Sequence, residues 1–334
     1  DTSLNETDII PHSDTLFSAI VSTAFKLYGN AGAEEFIDWF EQGELQISSA
    51  CYCLELDGVY FYFLPKPVYF DLVSDDKKLR KLDFIGTGIW EEGLQPDKWQ
   101  SSCSYIQDRF VIHQNLLRKN LAKSVNFFQK VSLPKVAVHK PGQEDSLYFQ
   151  TNIQIAVNEP TKDFGTPYPH FYFLLRHSND KAYAKLQTVL QVIADEGIGG
   201  ERSVGCGRLD GIEFIENPSE FKKLAAIESE YQVSLSLINP KPEEFAHLKA
   251  YKLLTRGGRR IPFPKSSNEA EYNRKSKLKR VRMIGEGALI QGNVGGRVVD
   301  ITPDGNNQKP FKRSGLAFSL PIQLPKSVQD ELFD

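Results

Sequence analysis

Apolar residues recur along the chain with two different periods. Leu16, Phe17, Ile20, Ala24 and Leu27 follow Ser13 and Asp14, two good N-cap types, at helical spacing, which predicts a helix over about 14–28. Phe36, Ile37 and Phe40 mark a second short helix after Gly32. The period then becomes two. Alternating stretches at 46–56 and 59–64 flank Asp57-Gly58, a strong hairpin-turn pair, and Pro65 and Pro67 close the hairpin. Residues 66–145 are polar and show no clear period, and they read as an insertion on the first domain without a core of their own. Alternation resumes at Leu147, Phe149, Thr151, Ile153 and Ile155 and again over 170–176. Leu186, Val189, Leu190 and Ile193 predict a helix over about 181–195, followed by a glycine-rich loop and a strand over about 208–216.

This order, preceded by one strand upstream of Asp1, gives βαββαβ, the ferredoxin-like arrangement of helices on one face of an antiparallel sheet. The only methionine is Met283, so the natural start is expected to lie upstream of the first residue read. Asn217-Pro218 marks a break. Tyr231, Val233, Leu235 and Leu237 then open a second unit, with a helix from Pro242 and strands at about 281–290, 296–301 and 315–322. The expected fold is α+β: two ferredoxin-like (RRM-like) domains, 1–217 with its insertion and a more degenerate 218–334. There is no short-period repeat of the kind that builds solenoids.

Composition narrows the class. The chain has 334 residues, 40% of them hydrophobic and 25% charged, which supports packed cores and excludes a disordered chain. No apolar run approaches the roughly 20 residues needed to span a bilayer, and no signal-peptide pattern opens the chain. Four scattered cysteines do not make a disulfide scaffold, so a reducing cytoplasm is the expected location. They also lack zinc spacing, and buried free thiols are expected; no metal or cofactor is called for. The net charge of −3 hides an asymmetry: residues 1–100 hold 18 acidic and 7 basic side chains, whereas 246–282 hold 12 basic and 2 acidic. The basic region suits phosphate, although a solvated surface reads the same way; the acidic region suits a protein partner.

The run Gly197-Ile-Gly-Gly-Glu-Arg-Ser-Val-Gly-Cys-Gly-Arg208 is the most informative stretch. It is not a P-loop, because Cys206 and Gly207 stand where Lys and Ser or Thr belong, and it leads from a helix into a strand, the reverse of a dinucleotide fingerprint. Its glycines would let backbone N–H groups approach an anion, with Arg202 and Arg208 as bidentate phosphate partners. The plain alternative is a helix cap and connector.

The helix–GIGGERSVGCGR–strand arrangement resembles the signature of the RAMP proteins of CRISPR systems. PHSDTLFSAI, LYFQTNIQI, VRMIGEGALI, GGRVVDI and FKRSGLAFSLPI are similar to one branch, the Csm-type subunit of type III-A effector complexes, over about residues 9–323. The resemblance implies two ferredoxin-like domains and a subunit without a catalytic role. Its expected partners are the repeat-derived 5′ tag of the guide RNA, the large polymerase-like signature subunit and the first backbone RAMP subunit, with target RNA contacted only indirectly.

Single-stranded RNA is held by cationic grooves, backbone amides and stacking on unstacked bases. On that chemistry the candidate RNA-binding residues begin with the loop positions Gly197, Ile198, Gly199, Gly200, Glu201, Arg202, Ser203, Gly205 and Arg208. His12 and Ser13 join them at the first helix. Arg109, His113, Arg118 and Lys119 are expected on a thumb-like projection from the insertion. In the second domain they are Arg256, Gly257, Gly258, Arg259, Lys279, Arg280, Arg282, Gly296 and Arg297. Asp14 is expected to cap the helix rather than to act in chemistry. Three other readings stay open: a metal-independent RAMP endoribonuclease with His12 as acid or base, the equivalent subunit of a type III-B (Cmr) complex, and a protein-interaction module with no RNA affinity.

Overall fold

The computed structural model describes residues 7–73, 76–93, 99–137, 146–161, 165–199, 201–258, 277–303, 310–325 and 329. In chain order α1 (Ser13–Glu41), β1 (Leu45–Ile47), β2 (Cys51–Leu56) and β3 (Val59–Pro65) come first. Next are α2 (Phe70–Val73), α3 (Lys77–Lys81), β4 (Phe84–Gly86), α4 (Thr87–Glu91), α5 (Trp99–Ser102), β5 (Cys103–Ile106), β6 (Phe110–His113) and α6 (Lys119–Ser124). Then follow β7 (Phe128–Ala137), β8 (Ser146–Ile155), β9 (Tyr168–Tyr172), β10 (Leu175–His177), α7 (Asp180–Glu196) and α8 (Ser219–Ala225). The C-terminal region holds β11 (Tyr231–Ser234), β12 (Leu248–Ala250), β13 (Leu253–Arg256), β14 (Val281–Ile284), β15 (Leu289–Gln291), β16 (Gly296–Asp300), β17 (Lys312–Leu316) and β18 (Ser319–Pro321). The fold is mixed α+β, and among the described residues every strand pair is antiparallel except β4 with β6.

The chain forms two compact units that do not follow a single cut at Pro218. One comprises residues 1–11, 51–66 and 76–172; the other comprises 12–50, 67–75 and 173–334.

The first unit is a six-stranded sheet, ordered β5-β6-β4-β3-β2-β9, with the separate β7–β8 ribbon. Asp57 and Gly58 take φ of 51° and 75°, both positive as a type I′ hairpin turn requires, and they set the β2–β3 register. The supposed insertion supplies much of the core. Phe84, Ile106, Phe110, Ile112, Leu117, Val125, Phe127 and Phe128 are buried together with Tyr52, Leu54 and Phe63 of the hairpin. Tyr52 is the hub: its ring lies 5.4–5.7 Å from those of Phe84, Phe110, Phe127 and Phe128, and its hydroxyl donates to the Ile9 carbonyl. Periodicity failed here because the strands and helices between 77 and 124 are only three to six residues long.

The second unit places α1 and α7 over a shared core of Leu16, Phe17, Ile20, Phe36, Phe40, Leu186, Val189 and Ile193. The two helices expected at the start are one element broken at Gly29, whose φ of 69° and ψ of −163° are non-helical. Lys181 and Lys185 of α7 both reach Glu35 of α1, at 2.8 and 2.5 Å. The C-terminal region adds a four-stranded sheet, β12-β15-β11-β18, and two ribbons, β13–β14 and β16–β17.

Two expected elements are corrected. Residues 208–216 form no strand. Ile212 and Phe214 instead pack onto the α1–α7 core from an irregular segment. The helix expected at Pro242 is a six-residue 3₁₀ helix, Pro242–His247, whose Glu244 carboxylate accepts from the Lys241 backbone N–H at 2.8 Å.

Candidate nucleic-acid interface

The polar start of α1 faces inward. His12, Ser13 and Asp14 are 8%, 2% and 2% exposed, in contrast to the expected RNA-facing helix end. His12 Nδ1 lies 2.7 Å from Glu286 Oε1, which also accepts from Ser49 Oγ. Ser49 Oγ accepts from the Ser13 N–H at 2.8 Å, and Ser13 Oγ accepts from the Leu237 N–H at 3.0 Å. His12 and Ser13 are therefore corrected from RNA contacts to parts of a buried network. His12, not Asp14, occupies the cap position.

Asp14 instead holds two arginines. Arg256 meets it with two nearly parallel bonds, Nε to Oδ2 at 3.0 Å and Nη2 to Oδ1 at 3.1 Å, and Arg313 Nη1 reaches Oδ2 at 2.8 Å. Arg313 is 7% exposed, and burial lowers its pKa against the opposing pull of Asp14. Arg256, expected on a flexible basic loop, is thus committed to an internal carboxylate.

The glycine loop is also closed upon itself. The N–H groups of Ile198, Val204, Gly205 and Cys206 donate to the carbonyls of Gly207, Glu201, Arg202 and Glu201. Gly197 and Gly207 have φ of 83° and 74°, and a Cβ on Gly207 would stand 1.8 Å from the Ile198 carbonyl oxygen. These glycines serve a tight internal turn, contrary to the expectation that the loop as a whole aims its amides outwards. Arg202 and Arg208 are exposed, with Arg202 Nη1 3.6 Å from Glu196. Gly199 and Glu201 lie on the exposed part of the loop; Gly200 lies outside the described residues, as does the Ser203 side chain.

An exposed cationic surface lies around β13, β14 and β16. Lys279, Arg280, Arg282 and Arg297 are all exposed. Arg280 packs over Gly257, where a Cβ would meet its side chain at 3.4 Å. Asn239 joins the others: its Oδ1 accepts from Arg297 Nε at 2.8 Å, and its Nδ2 donates to the Arg282 carbonyl at 3.3 Å. Gly257 and Gly258 are exposed beside this cluster, and Arg259 lies outside the described residues. Gly296 is corrected to a structural role. It is buried, its N–H donates to Glu244, and a Cβ there would clash with the Gly315 carbonyl oxygen at 2.1 Å. Burial raises the pKa of Glu244, but the backbone amides of Lys241, Gly295 and Gly296 outweigh it, so the net direction is down.

In the first unit Arg109 is taken up by Asp83 and stacks 5.3 Å from the Phe128 ring centre. His113 lines one cleft and Arg118 and Lys119 line a second, and the two share Gln114 and Asn115. Cys51, Cys53 and Cys103 are buried free thiols and Cys206 is half-buried; burial pushes Cys53 up to about 12. Among the described residues there is no cluster of three metal-ligating side chains, and no helix is long and apolar enough to cross a membrane. Sequence reasoning missed Arg313, Asn239, Glu244 and Glu286, each of which acts on a group 40 or more residues away.

Residues 227–322 match the family model of the CRISPR Csm4 C-terminal domain. The whole chain is similar to the CRISPR system Cms protein Csm4 of Methanocaldococcus jannaschii, 25% identical with 91% of this chain and 85% of the relative covered. The protein of the same name from Thermococcus onnurineus is 26% identical, with 96% and 94% covered. In fold the chain resembles one in the crystal structure of the Csm3–Csm4 subcomplex of the type III-A interference complex, with a TM-score of 0.68, 22% identity and 94% of each chain covered. It also resembles one in the Csm1–Csm4 cassette bound to cA4, with a TM-score of 0.54, 20% identity and 95% and 93% covered. The matched C-terminal domain, two relatives spanning nearly the full length and the shared fold agree with the motifs from Pro11 to Ile322: residues 227–322 carry a Csm4 C-terminal domain, and the chain as a whole is similar to the Csm4 proteins of CRISPR systems.

Proposed function

We propose that this chain is the non-catalytic, RNA-binding subunit of a type III-A CRISPR interference complex. It grips the repeat-derived 5′ tag of the guide RNA and links the large signature subunit to the backbone RAMP subunits, on a frame of two ferredoxin-like domains. The observation that carries the reading is the cluster of exposed Lys279, Arg280, Arg282 and Arg297 around Gly257, inside the region matched by the Csm4 domain model. Four cations, Lys279 and Arg280 just before β14, Arg282 on it and Arg297 on β16, suit a single-stranded phosphate backbone. The partnership with a large subunit and a backbone subunit is carried over from the Csm1–Csm4 and Csm3–Csm4 structures. His12, the group an endoribonuclease reading would use, is buried against Glu286, which favours the non-catalytic role.

The test is a titration of guide RNA with and without its 5′ tag against the intact chain and an Arg280→Ala/Arg282→Ala/Arg297→Ala variant. Tag-dependent binding that the variant loses, with the RNA uncut, is the expected result. Losing three phosphate contacts should also flatten the salt dependence by about two ions. Cleaved RNA, or binding blind to the tag, overturns the reading.

A further inference from the structure

We propose that the first unit contains a single-nucleotide site, formed by the two adjoining clefts between α4 and α6. The larger has a volume of about 730 Å³, within the roughly 300–1,000 Å³ of small-ligand pockets, and the smaller about 330 Å³. Gln114 and Asn115 line both, so the two clefts adjoin.

The two clefts differ in chemistry. The larger cleft has Ile89 and Trp99 as its apolar surface, with His113 and Glu92 opposite polar neighbours. His113 Nε2 is buried and lies 3.2 Å from Glu92 Oε2, yet it is not aligned for a hydrogen bond, so a polar ring atom in the lining is left without one. The smaller cleft is lined by Arg118, Lys119 and Asn120, and both cations are exposed. A carboxylate at one end and two cations at the other fix the orientation of a ligand that is polar at one end and anionic at the other. The phosphate belongs at Arg118 and Lys119, and the base enters the larger cleft.

Glu92 adds selectivity. An ionised carboxylate only accepts hydrogen bonds, so it favours bases bearing an exocyclic amine and disfavours uracil. Two sources fit this chemistry: a nucleotide turned out of a single-stranded RNA, which rests on the function proposed above, and a free nucleotide, which does not.

The experiment uses the full chain, the four nucleoside monophosphates, and tagged guide RNA with single abasic positions. The variants are Arg118→Glu/Lys119→Glu and Glu92→Gln, all at exposed side chains, so the fold is expected to survive. The expected result is binding of AMP, CMP and GMP with UMP at least fivefold weaker. The double charge reversal should weaken binding tenfold or more, and Glu92→Gln should narrow the UMP gap. An abasic position that costs affinity in the parent but not in the charge-reversed chain identifies the source as RNA. Mononucleotide binding without any such position identifies a free nucleotide. If neither probe responds to the variants, the site is wrong. RNA binding that is lost with Arg280, Arg282 and Arg297, with RNA and mononucleotide binding both indifferent to Arg118 and Lys119, would refute the site and leave the subunit reading standing.

Discussion

Two polar clusters in the second unit meet opposite fates. At the start of α1, His12, Ser13 and Asp14 are sealed inside and each is paired: with Glu286, with Ser49 and Leu237, and with two arginines. Around β14 and β16, Lys279, Arg280, Arg282 and Arg297 keep their charges at the surface. His12, Ser13 and the basic cluster all read as RNA-facing from residue type, and Asp14 as a helix cap. What separates them is burial: the first cluster is sealed in with its partners and becomes a brace, whereas the second stays at the surface, within reach of solvent or a ligand. The difference sorts mutations into those that break the fold and those that alter only binding.

The sharpest way to break the comparison is Asp14→Ala. It strands Arg256 and the 7%-exposed Arg313 without their carboxylate, and removing one partner from a buried pair costs about 3–5 kcal/mol. Thermal or denaturant unfolding should show that loss, with RNA affinity falling only as the folded fraction falls. A stable Asp14→Ala protein with lost RNA binding would move Asp14 into the interface instead.

Gly207→Ala comes next. The position combines φ of +74° with a Cβ 1.8 Å from a backbone oxygen, so the loop must open. A cost of about 1–3 kcal/mol is expected, readable as a lower midpoint of unfolding. Gly205→Ala, with a similar φ of +83° but open space around the Cβ, should cost less. Equal costs would mean that backbone conformation alone sets the glycine requirement.

Glu244→Gln tests the brace under β16. The folded pKa of Glu244 is lowered, so its contribution is fully present above the ordinary glutamate value near 4.5 and is lost as pH falls through the lowered folded value. The variant should be about 1–2 kcal/mol less stable at neutral pH, and the two unfolding curves should converge on acidification. Parallel curves down to pH 2 would show that the carboxylate charge contributes nothing.

Local chemistry explains which features were legible in the sequence. The Asp57-Gly58 turn and the α7 stripe of Leu186, Val189, Leu190 and Ile193 are set within a few residues, and both formed where expected. The internal closure of the glycine run was not legible because it depends on the Ile198–Gly207 hydrogen bond and on Ile212 and Phe214 finding the helical core. The pairing of Asp14 with Arg256 and Arg313 joins residues 242 and 299 positions apart, and nothing local in either segment announces it. The basic surface was legible as composition, but Arg256 had to be subtracted from it and Asn239 added as its organiser.

The smallest stability effect is expected at that surface, and it sharpens the comparison most. Single substitutions Arg280→Ala and Arg282→Ala remove exposed side chains, so each should change stability by less than about 0.5 kcal/mol. Arg297→Ala also removes the Nε bond to Asn239, and the freed Asn239 amide must find water, so its cost should be the largest of the three. If the surface binds phosphate, all three variants should still weaken RNA binding to similar degrees, because each cation releases about the same counterion share. Unfolding and salt-dependent titration together therefore separate the roles: stability should rank Arg297 above the other two, and binding should not. A binding loss confined to Arg297→Ala would identify Asn239 and its arginine as a local structural element, and would return Arg280 and Arg282 to the status of solvated charges.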